Sequence, residues 1–280
     1  MPMKHPAIWP NMITAFALSF GLFVIFKVNM VEPGTASYPT ILVAVSILLF
    51  AAFLDLLDGA VARMMKVESS FGGVFDALAD TVSFGVAPSV IILKALSVEP
   101  NTPIHFFLMT GAIIYSICGV LRLVRHTVTS YQIQGDEEKM LSAKTHFTGL
   151  PIPAAAIISS CTTLFLMSDD CKRFYDISDD QRAIVAIVVF FLIGYFMISR
   201  WKFLSLKTLR IRIGTFQSVL FTAFAAACIL LGAINHFALL LFALSWGYLI
   251  VAWTLSIVRF ISGKRLKALE EFDPEPDDEE

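Results

Sequence analysis

The sequence predicts an all-α polytopic membrane protein with about eight transmembrane helices. Three observations carry this. Of 280 residues, 57% are hydrophobic and only 16% charged, with a mean hydropathy of +0.75; a soluble domain carries about a quarter charged residues. Apolar runs near the length of about 20 residues that crosses hydrocarbon recur eight times. Lys and Arg are distributed unevenly between the loops that alternate along those runs.

The spans follow in order. Residues 7–28 form the first; only Lys4 precedes Trp9-Pro10 and no small-residue cleavage site is present, so this is a retained span rather than a signal peptide. Glu32-Pro33-Gly34 supplies turn chemistry before the second span, 38–63. A short connection leads to the third, 71–97, so spans two and three are antiparallel neighbours. Glu99-Pro100-Asn101 breaks the chain before span four, 104–123. Pro151 and Pro153 suit the first turn of span five, 149–168. An acidic loop, Asp169 to Asp180, precedes span six, 183–199. Residues 201–213 (WKFLSLKTLRIRI) alternate basic and apolar, as expected of an interfacial helix meeting anionic lipid. Spans seven and eight, 215–234 and 237–259, are joined by Asn235-His236. The tail, 261–280, turns acidic and proline-bearing after Lys267 and is expected to be disordered. The division is thus a membrane unit 1–200, a basic connector 201–213, two further spans in 214–260 and the tail.

Charge sets the orientation. With the N-terminus in the cytoplasm, five of the 21 Lys and Arg face outward: Lys27, Lys94, Lys172, Arg173 and Arg182. The other 16 face the cytoplasm, the expected positive-inside bias. Both termini then lie inside. The net charge of −2 does not point to nucleic acid, and none is expected as a partner. The four cysteines show no metal-ligand spacing. Cys118, Cys161 and Cys228 lie in apolar runs and read as small buried side chains. Cys171 lies in the polar external loop and is expected to react with impermeant thiol reagents.

Four aspartates fall between positions 55 and 80, at the cytoplasmic ends of two apolar runs. An acid near hydrocarbon is expensive and marks function by default. Asp55 and Asp58 are three residues apart, and Asp76 and Asp80 four apart, so each pair shares a helix face. Two such faces turned together form an oxygen cage for one or two hard cations. Gly59, Ala62, Gly72 and Gly73 allow close approach of a bulky ligand, and Arg63 offers a planar donor suited to phosphate. This set suits diphosphate chemistry: cations neutralise the bridging and leaving oxygens, and a carboxylate accepts a hydroxyl proton. An acid pair at a helix end also serves as a solvated cap or salt-bridge partner.

The pattern D-x2-D-G-x2-A-R-x8-G-x3-D-x3-D, filled by Asp55, Asp58, Gly59, Ala62, Arg63, Gly72, Asp76 and Asp80, resembles the signature of the CDP-alcohol phosphatidyltransferase family. The resemblance covers roughly residues 10–200. It implies a six-helix membrane core, extended here by two C-terminal helices, that forms a homodimer. It implies displacement of CMP from a CDP-linked lipid by an alcohol, with Mg2+ or Mn2+, two ions in all. By the same resemblance Asp55, Asp58 and Asp76 bind metal, and Asp80 both contacts metal and acts as base. Asp58, Gly59, Ala62, Arg63 and Gly72 would line the CDP pocket.

Three further stretches are similar to the phosphatidylserine synthase branch: Thr81–Pro88 (TVSFGVAP), Phe147–Ala156 (FTGLPIPAAA) and Leu121–Arg125 (LRLVR). In the last, Val124 and His126-Thr127 depart from the branch's L-R-L-A-R-F-N. The branch implies CDP-diacylglycerol and L-serine as substrates and CMP as product. Arg122, Arg125 and Lys144 are candidate cations for the serine carboxylate or CDP phosphates. Positive-inside anchoring explains Arg122 and Arg125 equally well. Ser83, one turn past Asp80, is a candidate contact, with helix packing as its ordinary role. A sibling enzyme using choline, glycerol phosphate or an inositol phosphate shares the chemistry. An ion-coupled transporter fits less well, because its acids belong near the membrane midplane.

Overall fold

In the computed structural model, residues 8–65, 70–133, 147–174, 177–199, 202–203 and 236–270 are described. They form nine α-helices: α1 (Ile8–Asn29), α2 (Tyr38–Met65), α3 (Ser70–Asp80), α4 (Ala87–Ala95), α5 (Pro103–Ile133), α6 (Ile152–Met167), α7 (Asp169–Phe174), α8 (Asp179–Ile198) and α9 (Phe237–Glu270). A π-helical turn, Thr81–Val86, joins α3 to α4. Two two-residue strands, β1 (Phe147–Thr148) and β2 (Lys202–Phe203), pair antiparallel. Six stretches among the described residues are long and apolar enough to cross a membrane, so the chain is an integral membrane protein. The sixth of them lies within α9. The expected span 215–234 and the connector 204–213 lie outside the described residues.

Each long helix turns a stripe inward at alternating three- and four-residue spacing. On α1 the stripe is Thr14, Ala17, Gly21, Val24 and Val28, all buried. On α2 it is Ile41, Ala44, Leu48 and Ala51, and the same period continues to Asp55 and Asp58. On α5 it is Leu108, Ala112, Tyr115 and Gly119, continuing to Arg122. The outward faces carry exposed Phe16, Phe23, Phe53, Phe106 and Val188, as lipid contact requires.

Helix α1 packs along α2, and α5 along α8. At Gly21 a Cβ would run into Ser83, whose Cα lies 2.8 Å from its ideal position. Only glycine lets α1 come this close to the π turn. Helix α6 sits between α2, α4, α8 and α9, with Leu164, Ile158 and the run Ser159–Thr163 buried. At 16 residues it spans about 24 Å, short of the hydrocarbon thickness. Proline at its start and Ser168 at its end account for the length: Ser168 Oγ accepts the Cys171 N–H at 3.2 Å and so caps α7. Before α6, Gly149 adopts φ +84°, and a Cβ there would collide with Met197 O at the end of α8. A capping box between Ser178 and Gln181 starts α8, with Asp179 and Asp180 in its first turn.

Three elements differ from the sequence reading. Span three is not one α-helix. Pro88 has no N–H to give Phe84 O, four residues back, and its ring would clash with that carbonyl. The chain widens into a π turn instead, with Ala87 N–H bonded to Val82 O. Tyr115 Oη donates to Phe84 O at 3.0 Å and Ser116 Oγ to Gly85 O at 2.8 Å, replacing the lost donors. Helix α9 continues three residues past Lys267, through Ala268-Leu269-Glu270, good helix formers ahead of Pro274.

The third difference is Cys171, expected on the surface and found 1% exposed. The short helix α7 folds back, and its Asp170 Oδ1 meets His236 Nδ1 at 2.7 Å at the start of α9. Burial pushes the Cys171 thiol up, against the pull of Arg182. An impermeant maleimide should therefore label Cys171 far more slowly than a cysteine placed at exposed Asp169. Equal labelling rates in intact cells would show that α7 does not hold this packing.

Candidate active site between the α2 and α3 aspartates

The inward stripe of α2 carries Asp55 and Asp58 into the bundle near the helix's C-terminal end. Helix α3, packed on α1 and α5, presents Asp76 and Asp80 in its last two turns. One carboxylate oxygen each from Asp55, Asp76 and Asp80 lies within 4.8 Å of the other two. Asp55 and Asp80 lie within side-chain hydrogen-bonding reach of each other. Two carboxylates cannot face each other at that range without a shared proton or a cation. Asp76 Oδ1 is buried with no hydrogen-bond partner. A buried carboxylate oxygen without a donor, beside two more acids, has the chemistry of a hard-cation site. The residues fit a divalent ion.

Asp58 stands apart from this triad. It is 5% exposed, and Oδ2 accepts a 2.7 Å hydrogen bond from Thr14 Oγ1 on α1. It remains close enough to act electrostatically on Asp55 and Asp76. Arg122 closes the site from α5: it is 8% exposed and within electrostatic range of Asp80 and Asp55. Its Nε has no hydrogen-bond partner. A buried guanidinium among acids, with a donor to spare, is poised for an anion.

The other sequence candidates separate. Arg125 Nη1 donates to Ile198 O at 3.0 Å and Nη2 to Met197 O at 3.4 Å. It thus ties α5 to the last carbonyls of α8, where a cation also complements the helix dipole. Ser83 is buried against Gly21, and its Oγ has no hydrogen-bond partner among the described residues. Gly59 follows Asp58 on α2, and Gly72 opens α3. The side chains of Ala62 and Arg63, and Lys144 altogether, lie outside the described residues.

Two features escaped the sequence reading. Thr14 could have been found as the lone hydroxyl on the small-residue stripe of α1. The π turn could have been found from Pro88, which removes the donor for Phe84 O. Several helix hydroxyl groups stay local instead: Ser19, Ser46, Thr110 and Thr163 each bond the carbonyl four residues back.

The comparisons agree with this geometry. The sequence profile described as CDP-alcohol phosphatidyltransferase matches residues 7–194. The CDP-diacylglycerol–serine O-phosphatidyltransferase of Helicobacter pylori (strain ATCC 700392 / 26695) is 28% identical over 268 residues, 96% of this chain and 100% of that protein. The Mycobacterium leprae (strain TN) protein of the same name is 36% identical over 114 residues, 41% of this chain and 35% of that protein. One from Methanocaldococcus jannaschii is 34% identical over 131 residues, 47% of this chain and 55% of that protein. The acids that the fold gathers at the end of α2 and along α3 are the ones that fill the motif, the match spans most of the helical core, and the chain belongs to the CDP-alcohol phosphatidyltransferase family, as a membrane-embedded transferase.

Proposed function

We propose that this protein transfers the phosphatidyl group of CDP-diacylglycerol to the hydroxyl of L-serine, releasing CMP. The observation that carries the reading is the convergence of Asp55, Asp76 and Asp80, backed by the buried Arg122. The match along the whole Helicobacter pylori protein, named for serine, supports the acceptor.

In this reading Asp55, Asp58, Asp76 and Asp80 hold two divalent ions, Mg2+ or Mn2+. When bound, such ions neutralise charge on the diphosphate and its leaving oxygen. The chain's own residues do the rest. Asp80 takes the proton of the serine hydroxyl as that oxygen bonds to the phosphatidyl phosphorus. The bond from that phosphorus to the CMP oxygen breaks, and CMP leaves with the electron pair. Arg122 holds an anionic group of the substrates, the serine carboxylate or a phosphate. Gly59, Ala62, Arg63 and Gly72 border the CDP. Arg125 acts through α8, as an anchor.

The charge bias supports an active site, and both termini, on the cytoplasmic side of a bacterial inner membrane. Residues 1–200 form the catalytic unit in this scheme, joined by the 201–213 connector to the spans in 214–260 and the tail. A homodimer is the expected assembly.

The test is CMP release from CDP-diacylglycerol with a panel of serine, choline, glycerol phosphate, inositol phosphate and no acceptor. Release with serine alone is expected. Release with another alcohol in place of serine would reassign the acceptor, and no release with any would refute the activity.

A further inference from the structure

Among the described residues of α1, Thr14 is the single buried polar side chain; its companions on the inward stripe are Ala17, Gly21, Val24 and Val28. It is 6% exposed. A threonine in an apolar helix ordinarily returns its hydroxyl to the carbonyl four residues back. Thr14 does more: its hydroxyl reaches 2.7 Å across to Asp58 Oδ2, a residue on the neighbouring helix. Its partner is the most buried acid of the motif and the one outside the three-carboxylate cluster. The approach depends on α1 lying close, which Gly21 allows by resting against Ser83 two turns along the same stripe. Sequence, stripe and contact thus aim one hydroxyl at one carboxylate.

We propose that Thr14 is a positioning residue that orients Asp58 for the divalent ion. A hydroxyl donor fixes one carboxylate oxygen and limits rotation of the group. Hydrogen bonds of this kind hold metal-binding side chains in place and tune their affinity. The inference rests on the reading of Asp58 as a metal-binding acid.

The experiment is a Mn2+ titration of the purified full chain in detergent, following the free-ion signal by electron paramagnetic resonance. Thr14→Val, nearly the same shape without the hydroxyl, should weaken Mn2+ binding by about 10–100-fold. Thr14→Ser, which keeps the hydroxyl, should bind close to wild type. Excess Mn2+ should restore CMP release by Thr14→Val, a rescue that a packing defect would not show. Should Thr14→Val fail to fold, Thr14→Ala removes the same hydroxyl without adding bulk and carries the comparison. Wild-type affinity in the hydroxyl-free variant would overturn the proposal, as would a Thr14→Ser variant as weak as Thr14→Val. Wild-type Mn2+ affinity in Asp58→Asn would instead overturn the reading of Asp58 on which the proposal stands.

Discussion

Asp80→Asn should lower CMP release by about 10²–10⁴-fold, the usual worth of a general base, and by more where a metal contact is also lost. The substitution keeps the shape of the side chain and removes its capacity to accept a proton. Serine's hydroxyl is a poor nucleophile until that proton is taken. Asp80 is the last acid of α3, placed where α3 passes into the π turn, beside Asp55 and within range of Arg122. Binding of CDP-diacylglycerol should survive better in Asp80→Asn than in Asp55→Asn or Asp76→Asn. Turnover is measured as CMP release with serine at several pH values, and binding by lipid retention on the purified protein. Near wild-type turnover in Asp80→Asn would exclude it as the base. Equal loss of lipid binding in all three variants would make it one more ligand.

Chelation should abolish turnover. Three carboxylates whose oxygens lie within 4.8 Å repel one another unless protons or cations intervene. Asp76 Oδ1 is buried with no hydrogen-bond donor among the described residues. Exhaustive treatment with EDTA should bring CMP release to background, and Mg2+ or Mn2+ added back in excess should restore it. The melting temperature of the chelated protein provides the control that separates loss of the ion from loss of the fold. Full activity after exhaustive chelation would sink the metal reading.

Much of this protein was legible as sequence because lipid is an undemanding solvent to predict. A span must be helical and apolar, so its existence follows from composition over about 20 residues. The six spans found among the described residues coincide with runs read from the chain. The four aspartates were legible for a related reason: acids near hydrocarbon are costly, and fixed helical spacing puts each pair on one face. The continuation of the α2 stripe into Asp55 and Asp58 is that periodicity made visible.

What the sequence could not decide is which partner each polar group finds. Arg122 and Arg125 are equivalent on paper, three residues apart at the end of one span. The turn of α5 sends Arg122 inward to Asp80 and Asp55 and sends Arg125 to the end of α8. Asp55 and Asp58 look like a pair, yet only Asp55 joins Asp76 and Asp80, because Asp58 meets α1 and its Thr14. Cys171 looked exposed because its neighbours are charged, yet α7 folds back on the end of α6 and leaves it 1% exposed. Composition and period determine that a helix exists and which face it buries, since both are local. The neighbour on that face depends on how distant helices cross, and this the tertiary structure alone decided.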